Sequence, residues 1–169
     1  MRRKLAGGFE LDDDPARVDL DAVHAFISER SYWGRGRSRD LQERAIRGST
    51  RVVGLYLDGR QVGFARAVCD DATVAYLADV YVLEEFRGRG LGLELVREIV
   101  ERGVAPEVRW LLHTADAEGL YAKLGFRRGP LLYPLMERGR RAPGETADAS
   151  DPRSAPAGRS DPTSPRQPE

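Results

Sequence analysis

The sequence predicts an α+β fold in which a mixed, mostly antiparallel central sheet of about six to seven strands is flanked by four helices. Two apolar segments joined by Asp58-Gly59 are typical of a β-hairpin. A third apolar segment, 73–82, leads through a glycine-rich loop into an amphipathic helix and a further strand. Because that helix separates two strands, we expect the last connection to be a parallel crossover.

Each element follows from its local pattern. Helices are expected at 19–30, 38–47, 89–102 and 117–124, where apolar residues recur at helical spacing. Ser38 is suited to cap the second helix, and Gly125 is suited to end the fourth. Strands are expected at 51–57, 61–68, 73–82, 108–114, 126–128 and 132–137.

The end of the chain has a different composition. From Gly139 to Glu169 there is no Val, Ile, Leu, Met, Phe, Tyr or Trp, and six of the ten prolines lie there. Such a segment has little apolar surface to bury. We therefore expect one folded domain at 1–138 and a disordered tail at 139–169.

Composition excludes several classes of function. The net charge is zero, which argues against nucleic-acid or membrane partners, and no apolar run approaches the ~20 residues of a membrane helix. The single cysteine allows neither an intrachain disulfide nor a zinc knuckle, and no metal is expected. The sequence is thus interpreted as a cytoplasmic protein that is a monomer or a homodimer.

The loop Arg87-Gly88-Arg89-Gly90-Leu91-Gly92 predicts a phosphate site. Glycines allow a ligand to approach the backbone, and the following helix presents unpaired N–H groups. A dinucleotide fingerprint requires G-x-G-x-x-G near the first strand, but position 93 is leucine. A P-loop requires Gly-Lys-Ser/Thr, which is absent. The remaining pattern is R-x-x-G-x-G after an apolar strand.

A second segment supports the same interpretation. The stretch from Ala117 to Phe126 has the pattern A-x-x-L-Y-x-x-x-G-F, about 30 residues after the glycine-rich loop. The two motifs, in this order, resemble those of the GCN5-related N-acetyltransferases (GNAT). The order of predicted elements across 1–138 is similar as well.

The resemblance implies acetyl-CoA as the acetyl donor. The residues it assigns to acetyl-CoA binding are Val80, Val82, Arg87, Gly88, Arg89, Gly90, Leu91, Gly92 and Thr114. Loop N–H groups would hold the pyrophosphate, and the strand before the loop would pair with the pantetheine arm. The N–H of Val80 is our choice for polarising the acetyl carbonyl. Thr114 stands where many family members have asparagine.

For catalysis, the resemblance implies Tyr121 as the general acid that protonates the departing thiolate. Asp79 is the only carboxylate on its strand, so it is a candidate for the general base or for a substrate anchor. The alternatives are a structural Asp79 that bonds to a neighbouring loop or helix end, and a chain of water molecules as the base. His113 is expected to be structural. Cys69 lies at a turn, which favours direct transfer in a ternary complex over a covalent relay.

The acceptor is expected to contact the loop between the first two helices, residues 31–37, here called the acceptor loop. The candidate residues for acceptor binding are Tyr32, Trp33 and Arg35 in this loop, and Tyr76 on the strand 73–82. The arginines in this loop favour a small amine that bears an acidic group. The function predicted is thus N-acetylation of the primary amine of a small molecule. The alternatives are acetylation of a protein or peptide N-terminus, a non-catalytic CoA-binding module, and, with less support, a nucleotide-dependent oxidoreductase.

Overall fold

The structure is a computed structural model that describes residues 1–103 and 108–128. The predicted α+β class is confirmed. The described residues form a six-stranded sheet in the order β1-β2-β3-β4-β5-β6, in which only the pair β5–β6 is parallel. The strands are β1 (Arg2–Lys4), β2 (Phe9–Asp12), β3 (Arg51–Leu57), β4 (Arg60–Cys69), β5 (Val74–Val82) and β6 (Arg109–Leu111).

The described residues include four α-helices, of which three lie between strands and the fourth follows β6. They are α1 (Leu20–Ala25), α2 (Arg39–Arg47), α3 (Leu91–Arg102) and α4 (Glu118–Ala122). Asp19 caps α1 and Ser38 caps α2, each through its side-chain oxygen. A π-helical turn, Phe26–Arg30, continues α1 and accounts for the rest of the helix predicted at 19–30. Gly125 follows α4 with φ of 82°, as expected for a residue that ends a helix.

The sheet has an apolar core on each face. The larger core includes Leu11, Leu55 and Leu95, and joins the sheet to α3. The smaller core includes Ile27 and Phe64, and joins the sheet to the α1 region. Because β-strand side chains alternate between faces, neighbouring residues of β4 serve different cores. The described part of the chain has no helix long and apolar enough to cross a membrane.

The β3–β4 turn has the geometry that Asp58-Gly59 predicts. Both residues have positive φ, 49° and 81°, and the loop between the strands is two residues long. This is the turn that matches the twist of a β-hairpin.

An N-terminal hairpin was not predicted. Strand β1 pairs with β2, and β2 pairs with β3. The three residues of β1 are basic and lie at the sheet edge, so they show no apolar alternation. Arg3 donates to the buried carboxylate of Glu98 on α3 at 2.8 Å, which fixes the edge strand to the helix.

The predictions at the other end had mixed outcomes. Strand 108–114 is shorter than expected, at three residues, and 126–128 is not a strand. The strand at 132–137 and the tail at 139–169 lie outside the described residues.

A β-bulge interrupts β5 at Asp79, one of the site residues predicted from the sequence. Phe64 pairs with Tyr81 and Arg66 pairs with Ala78, so Asp79 and Val80 both oppose Ala65. Asp79 is the extra residue of the bulge, and its φ is 52°. A side chain at such a φ is uncommon and requires support from its surroundings.

Asp12, at the end of β2, makes stability sensitive to acid. Its carboxylate accepts hydrogen bonds from Arg2, Arg17 and the N–H of Asp14. Burial by itself would raise the pKa of Asp12, but the hydrogen bonds outweigh it and lower the pKa to about 2. A carboxyl whose pKa is lowered by folding stabilises the fold above its unfolded pKa, and this contribution is lost as the pH falls toward 2.

We therefore expect Asp12→Asn to lower the free energy of unfolding by about 1–2 kcal/mol at neutral pH. The gap from the wild type should shrink below about pH 4 and close near pH 2, which urea unfolding at several pH values would measure. Asp21→Asn is the control, because that exposed carboxylate pairs only at the surface with Arg39. A gap that does not vary with pH would contradict the assignment.

Candidate active site

A cavity of about 870 Å³ lies where β5 and β6 separate. The two strands pair only from Val74 to Tyr76 on β5. Beyond Tyr76, β5 continues to Val82 with no β6 partner among the described residues, and residues 76–82 all line the cavity. The separation leaves a strand edge beside the cavity, to which an extended ligand can hydrogen bond.

The glycine-rich loop forms a second wall. Gly88 and Gly90 have φ of 75° and 77°, and a Cβ on either would meet no atom within 4 Å. Backbone conformation therefore requires these glycines, and the space beside them is open. The N–H groups of residues 88–92 have no acceptor among the described residues, and they stand at the N-terminus of the 12-residue helix α3. Such an array of unpaired donors binds phosphate groups.

The other loop residues have separate roles. A Cβ on Gly92 would lie 3.1 Å from Leu120 Cδ1, so a small residue there lets α3 approach α4. Arg87 lines the cavity, and its Nε donates to the carbonyl of Val82 at 3.0 Å. Arg89 is exposed, with its guanidinium 5.9 Å from the ring centre of Phe86, and it is not among the residues that line the cavity.

Tyr121 projects from α4 into the same cavity. Its ring packs edge-on against Phe126, with centroids 5.9 Å apart. Its hydroxyl has no hydrogen-bond partner among the described residues and is not sealed from solvent. Burial, with smaller contributions from Tyr32 and Asp116, raises the pKa of Tyr121 to about 12. The phenol therefore stays protonated and remains available as a donor.

The segment before α4 contacts the acceptor loop. Thr114 accepts a hydrogen bond from the N–H of Ala117 at 3.0 Å, so its hydroxyl organises the start of α4. The hydroxyl of Tyr32 accepts from the N–H of Ala115 at 2.7 Å. Tyr32 also packs edge-on against Trp33, and both line the cavity. The aromatic pair therefore extends from the acceptor loop to the far wall.

Asp79 is the centre of a buried polar cluster. Its side chain is 2% exposed and accepts from Arg37 Nη1 and Arg66 Nε, each at 2.7 Å. Trp33 Nε1 and Gln42 Nε2 approach it at 3.3 and 3.4 Å. Burial by itself would raise the pKa of Asp79, but the two guanidinium groups outweigh it and hold the pKa below its usual range. The cluster joins the acceptor loop and α2 to the β5 bulge.

The acceptor side of the cavity differs from the prediction in its charges. Arg35 is exposed and is not among the lining residues, whereas Arg37 and Arg66 line the cavity. Tyr76 lines it too, and its hydroxyl forms a 2.8 Å hydrogen bond with Nδ1 of His113. Arg66 was not predicted from the sequence as a site residue. Its one available signal was a charge in the middle of an otherwise apolar strand.

The cavity thus brings together most of the residues that the sequence singled out. Those that line it are Tyr32, Trp33, Tyr76, Asp79, Val80, Val82, Arg87, Gly88, Gly90, Leu91, Gly92, Thr114 and Tyr121. Arg35 and Arg89 lie outside this set. The unpaired loop donors, the open strand edge and the free phenol share one space, which is an arrangement suited to a phosphate-bearing donor with an extended arm.

Comparisons with known proteins agree with this geometry. The family model "Acetyltransferase (GNAT) domain" matches residues 48–128. The protein FG08082 of Gibberella zeae, whose name assigns it provisionally to the acetyltransferases, is 30% identical over 141 residues, which cover 69% of this chain and 77% of that protein.

Solved structures give the same result. A GNAT-family protein from Xanthomonas campestris pv. campestris has a TM-score of 0.73 and 38% identity, with 78% of this chain and 92% of that chain covered. The GNAT-family protein SP0256 of Streptococcus pneumoniae has a TM-score of 0.59 at 21% identity, with 79% and 98% covered, and shows likeness of fold. The chain belongs to the GNAT family of acetyltransferases.

Proposed function

We propose that the protein transfers an acetyl group from acetyl-CoA to the primary amine of a small molecule, directly within a ternary complex. The observation that carries this proposal is the shared cavity. Unpaired N–H groups of Gly88, Gly90, Leu91 and Gly92, the open edge of β5 and the free hydroxyl of Tyr121 all border it. Together they fit the pyrophosphate, the pantetheine arm and the sulfur of one acetyl-CoA molecule.

The backbone supplies most of the donor binding in this proposal. The loop N–H groups hold the pyrophosphate, and Arg87 adds positive charge beside it. Backbone groups of Val80 and Val82 pair with the amides of the pantetheine arm. The N–H of Val80 polarises the acetyl carbonyl and stabilises the negative charge that develops there. Thr114 contributes through the segment that begins α4.

The chemical step forms one bond and breaks another. The neutral amine attacks the carbonyl carbon, a C–N bond forms, and the C–S bond then breaks. Tyr121 donates its proton toward the departing sulfur and regains one from solvent, while the amine gives up a proton of its own to an acceptor other than Tyr121. Transfer can then occur without a covalent intermediate on the protein.

The environment of Asp79 favours an anchoring role over that of general base. Its carboxylate is already bonded to two guanidinium groups, and its lowered pKa makes it a weak proton acceptor. Water in the cavity is the better candidate to take the amine proton. The exposed imidazole of His113, hydrogen-bonded to Tyr76, is a second candidate.

The test of the donor site is thermal. We expect acetyl-CoA at ten or more times its dissociation constant to raise the melting temperature by a few degrees. Gly90→Ala should abolish most of that shift, because a side chain is strained at φ of 77° and the loop donors would move. Gly59→Ala is a matched control, since Gly59 has φ of 81° and equally open surroundings in the β3–β4 turn.

Both variants should lose similar stability, but only Gly90→Ala should lose the response to acetyl-CoA. If the wild type shows no shift with millimolar acetyl-CoA, or if both variants respond equally, the donor site is misplaced. The sequence alternative of peptide acetylation depends on a groove beside the hairpin predicted at 126–137, most of which lies outside the described residues. A cytoplasmic location and an assembly of one or two copies stay predictions.

A further inference from the structure

Arg66 presents unused hydrogen-bond donors to the cavity. Its Nε is bonded to Asp79, but its two Nη nitrogens donate no hydrogen bond to any described residue. They also keep some exposure to solvent. Among the described residues, the side-chain nitrogen or oxygen that is fully buried without a hydrogen-bond partner is Gln61 Nε2, not an atom of Arg66. The side chain is 14% exposed and lines the cavity. A guanidinium held in this way offers its fork to a ligand.

The charge of the cluster is not balanced. Arg37 and Arg66 both contact the single carboxylate of Asp79, which leaves one net positive charge in a partly desolvated wall. Removing charges from water is costly unless they are paired, so an anion from the ligand would find a favourable partner here. The donors assigned to the pyrophosphate of acetyl-CoA lie elsewhere, in the loop at 87–92.

The surroundings of this charge are aromatic. Phe26 and Tyr81 stack with ring centroids 4.0 Å apart, and both line the cavity with Trp33. Binding sites for small molecules commonly combine an apolar wall with a few fixed polar groups that orient the ligand. The anionic group of an acceptor bound here would be oriented by one side chain.

We propose that Arg66, supported by Arg37, binds an anionic group of the acceptor, so that the preferred acceptors are small primary amines that carry a carboxylate or a phosphate. This inference rests on the proposed acetyltransferase function and names its substrate class. The Nη fork of Arg66 matches the two oxygens of either group. Asp79 holds the guanidinium in place from the opposite side.

The test compares matched acceptors and matched variants. The acceptors are sets that share one apolar skeleton: an amino acid, its carboxamide, the amine that lacks the acid, and the corresponding aminoalkyl phosphate. Release of the CoA thiol gives kcat/KM for each, and calorimetry in the presence of saturating CoA gives the affinity of each. Arg66→Lys retains a cation for Asp79 but lacks the fork, and Arg66→Gln removes the charge.

With the wild type, we expect kcat/KM for the acidic acceptors to exceed that for their neutral partners by roughly 10- to 100-fold. Arg66→Lys should remove most of this preference while the values for neutral acceptors change only a few-fold. The carboxylate and phosphate arms show which anion fits better. Near-normal values for the neutral acceptors in Arg66→Lys would show that loss of the fold does not account for the change.

Three results would overturn the proposal: neutral acceptors that are used as well as acidic ones, equal losses for both in Arg66→Lys, or no binding of acidic acceptors by calorimetry. A weakened affinity of Arg66→Lys for acetyl-CoA would place the arginine in the donor site and overturn it too. The wild-type melting shift with acetyl-CoA reports separately on the proposed function. A shift without any preference for acids would therefore reject only the substrate class.

Discussion

Replacing Tyr121 with phenylalanine is expected to lower kcat on the order of 10²-fold or more, with little change in the affinity for acetyl-CoA. The hydroxyl lies free in the cavity, and its pKa of about 12 keeps it protonated at neutral pH. Without it, the departing sulfur must develop its charge unaided. The ring, which packs against Phe126, is retained in the variant.

Pre-steady-state release of the CoA thiol measures the chemical step, and the melting shift measures donor binding. Tyr56→Phe is the matched control. Burial also raises the pKa of Tyr56 to about 12, but its hydroxyl donates to the carbonyl of Arg17 away from the cavity. We expect kcat to be unchanged in that control. A value of kcat for Tyr121→Phe within about threefold of the wild type would show that another group protonates the sulfur.

Replacing Asp79 with alanine is expected to lower the free energy of unfolding by about 3–5 kcal/mol. The substitution leaves the guanidinium groups of Arg37 and Arg66 close together without an anion. Alanine also keeps the Cβ at φ of 52° but lacks the side-chain hydrogen bonds that support that conformation. Urea unfolding followed by circular dichroism would measure the loss.

Two further substitutions separate the causes. Asp79→Gly relieves the backbone but not the charge, and should recover only about 1 kcal/mol. Asp79→Asn restores acceptor and donor groups and tolerates positive φ, so it should be the least damaging of the three. If alanine and asparagine are equally harmful, the charge dominates; if all three cost less than about 1 kcal/mol, the buried cluster does not stabilise the fold.

The same variants separate an anchor from a base. If Asp79 were the general base, Asp79→Asn would change the acid side of the pH profile of kcat/KM. As an anchor of the acceptor loop, it should instead raise KM for the acceptor and leave the shape of the profile as it is. Fluorescence would report the loop as well, because the indole of Trp33 contacts the carboxylate.

Local patterns were sufficient to predict the elements that carry the proposed donor site. The turn at Asp58-Gly59, the cap at Ser38 and the glycines with positive φ at 88 and 90 are each determined by neighbours in the chain. The strand–loop–helix unit therefore follows from sequence alone, and with it the position of the unpaired loop N–H groups.

The acceptor half depends on contacts between distant segments. Arg37 and Arg66 meet Asp79 only because the loop, β4 and the β5 bulge fold against one another. Nothing in the apolar pattern of 73–82 marks residue 79 as the extra one. For the same reason the sequence indicated Arg35 of the acceptor loop and gave no role to Arg66, which contacts Asp79 in the folded chain.

The N-terminal hairpin was missed for a related reason. A charged edge strand such as Arg2–Lys4 shows no alternation, since its side chains meet solvent or acidic partners. Arg3 forms ion pairs with Glu94 and Glu98, and each partner is more than ninety residues away in the chain.

The β5 bulge has a simple meaning at the level of the coding sequence. The pairs Phe64–Tyr81 and Arg66–Ala78 flank it, and without residue 79 Val80 would oppose Ala65 with both flanking pairs still in register. A single codon therefore separates a regular β4–β5 ladder from the one seen here. That codon also encodes the carboxylate that contacts the acceptor loop, so the extra residue and the side chain that supports its conformation are one and the same.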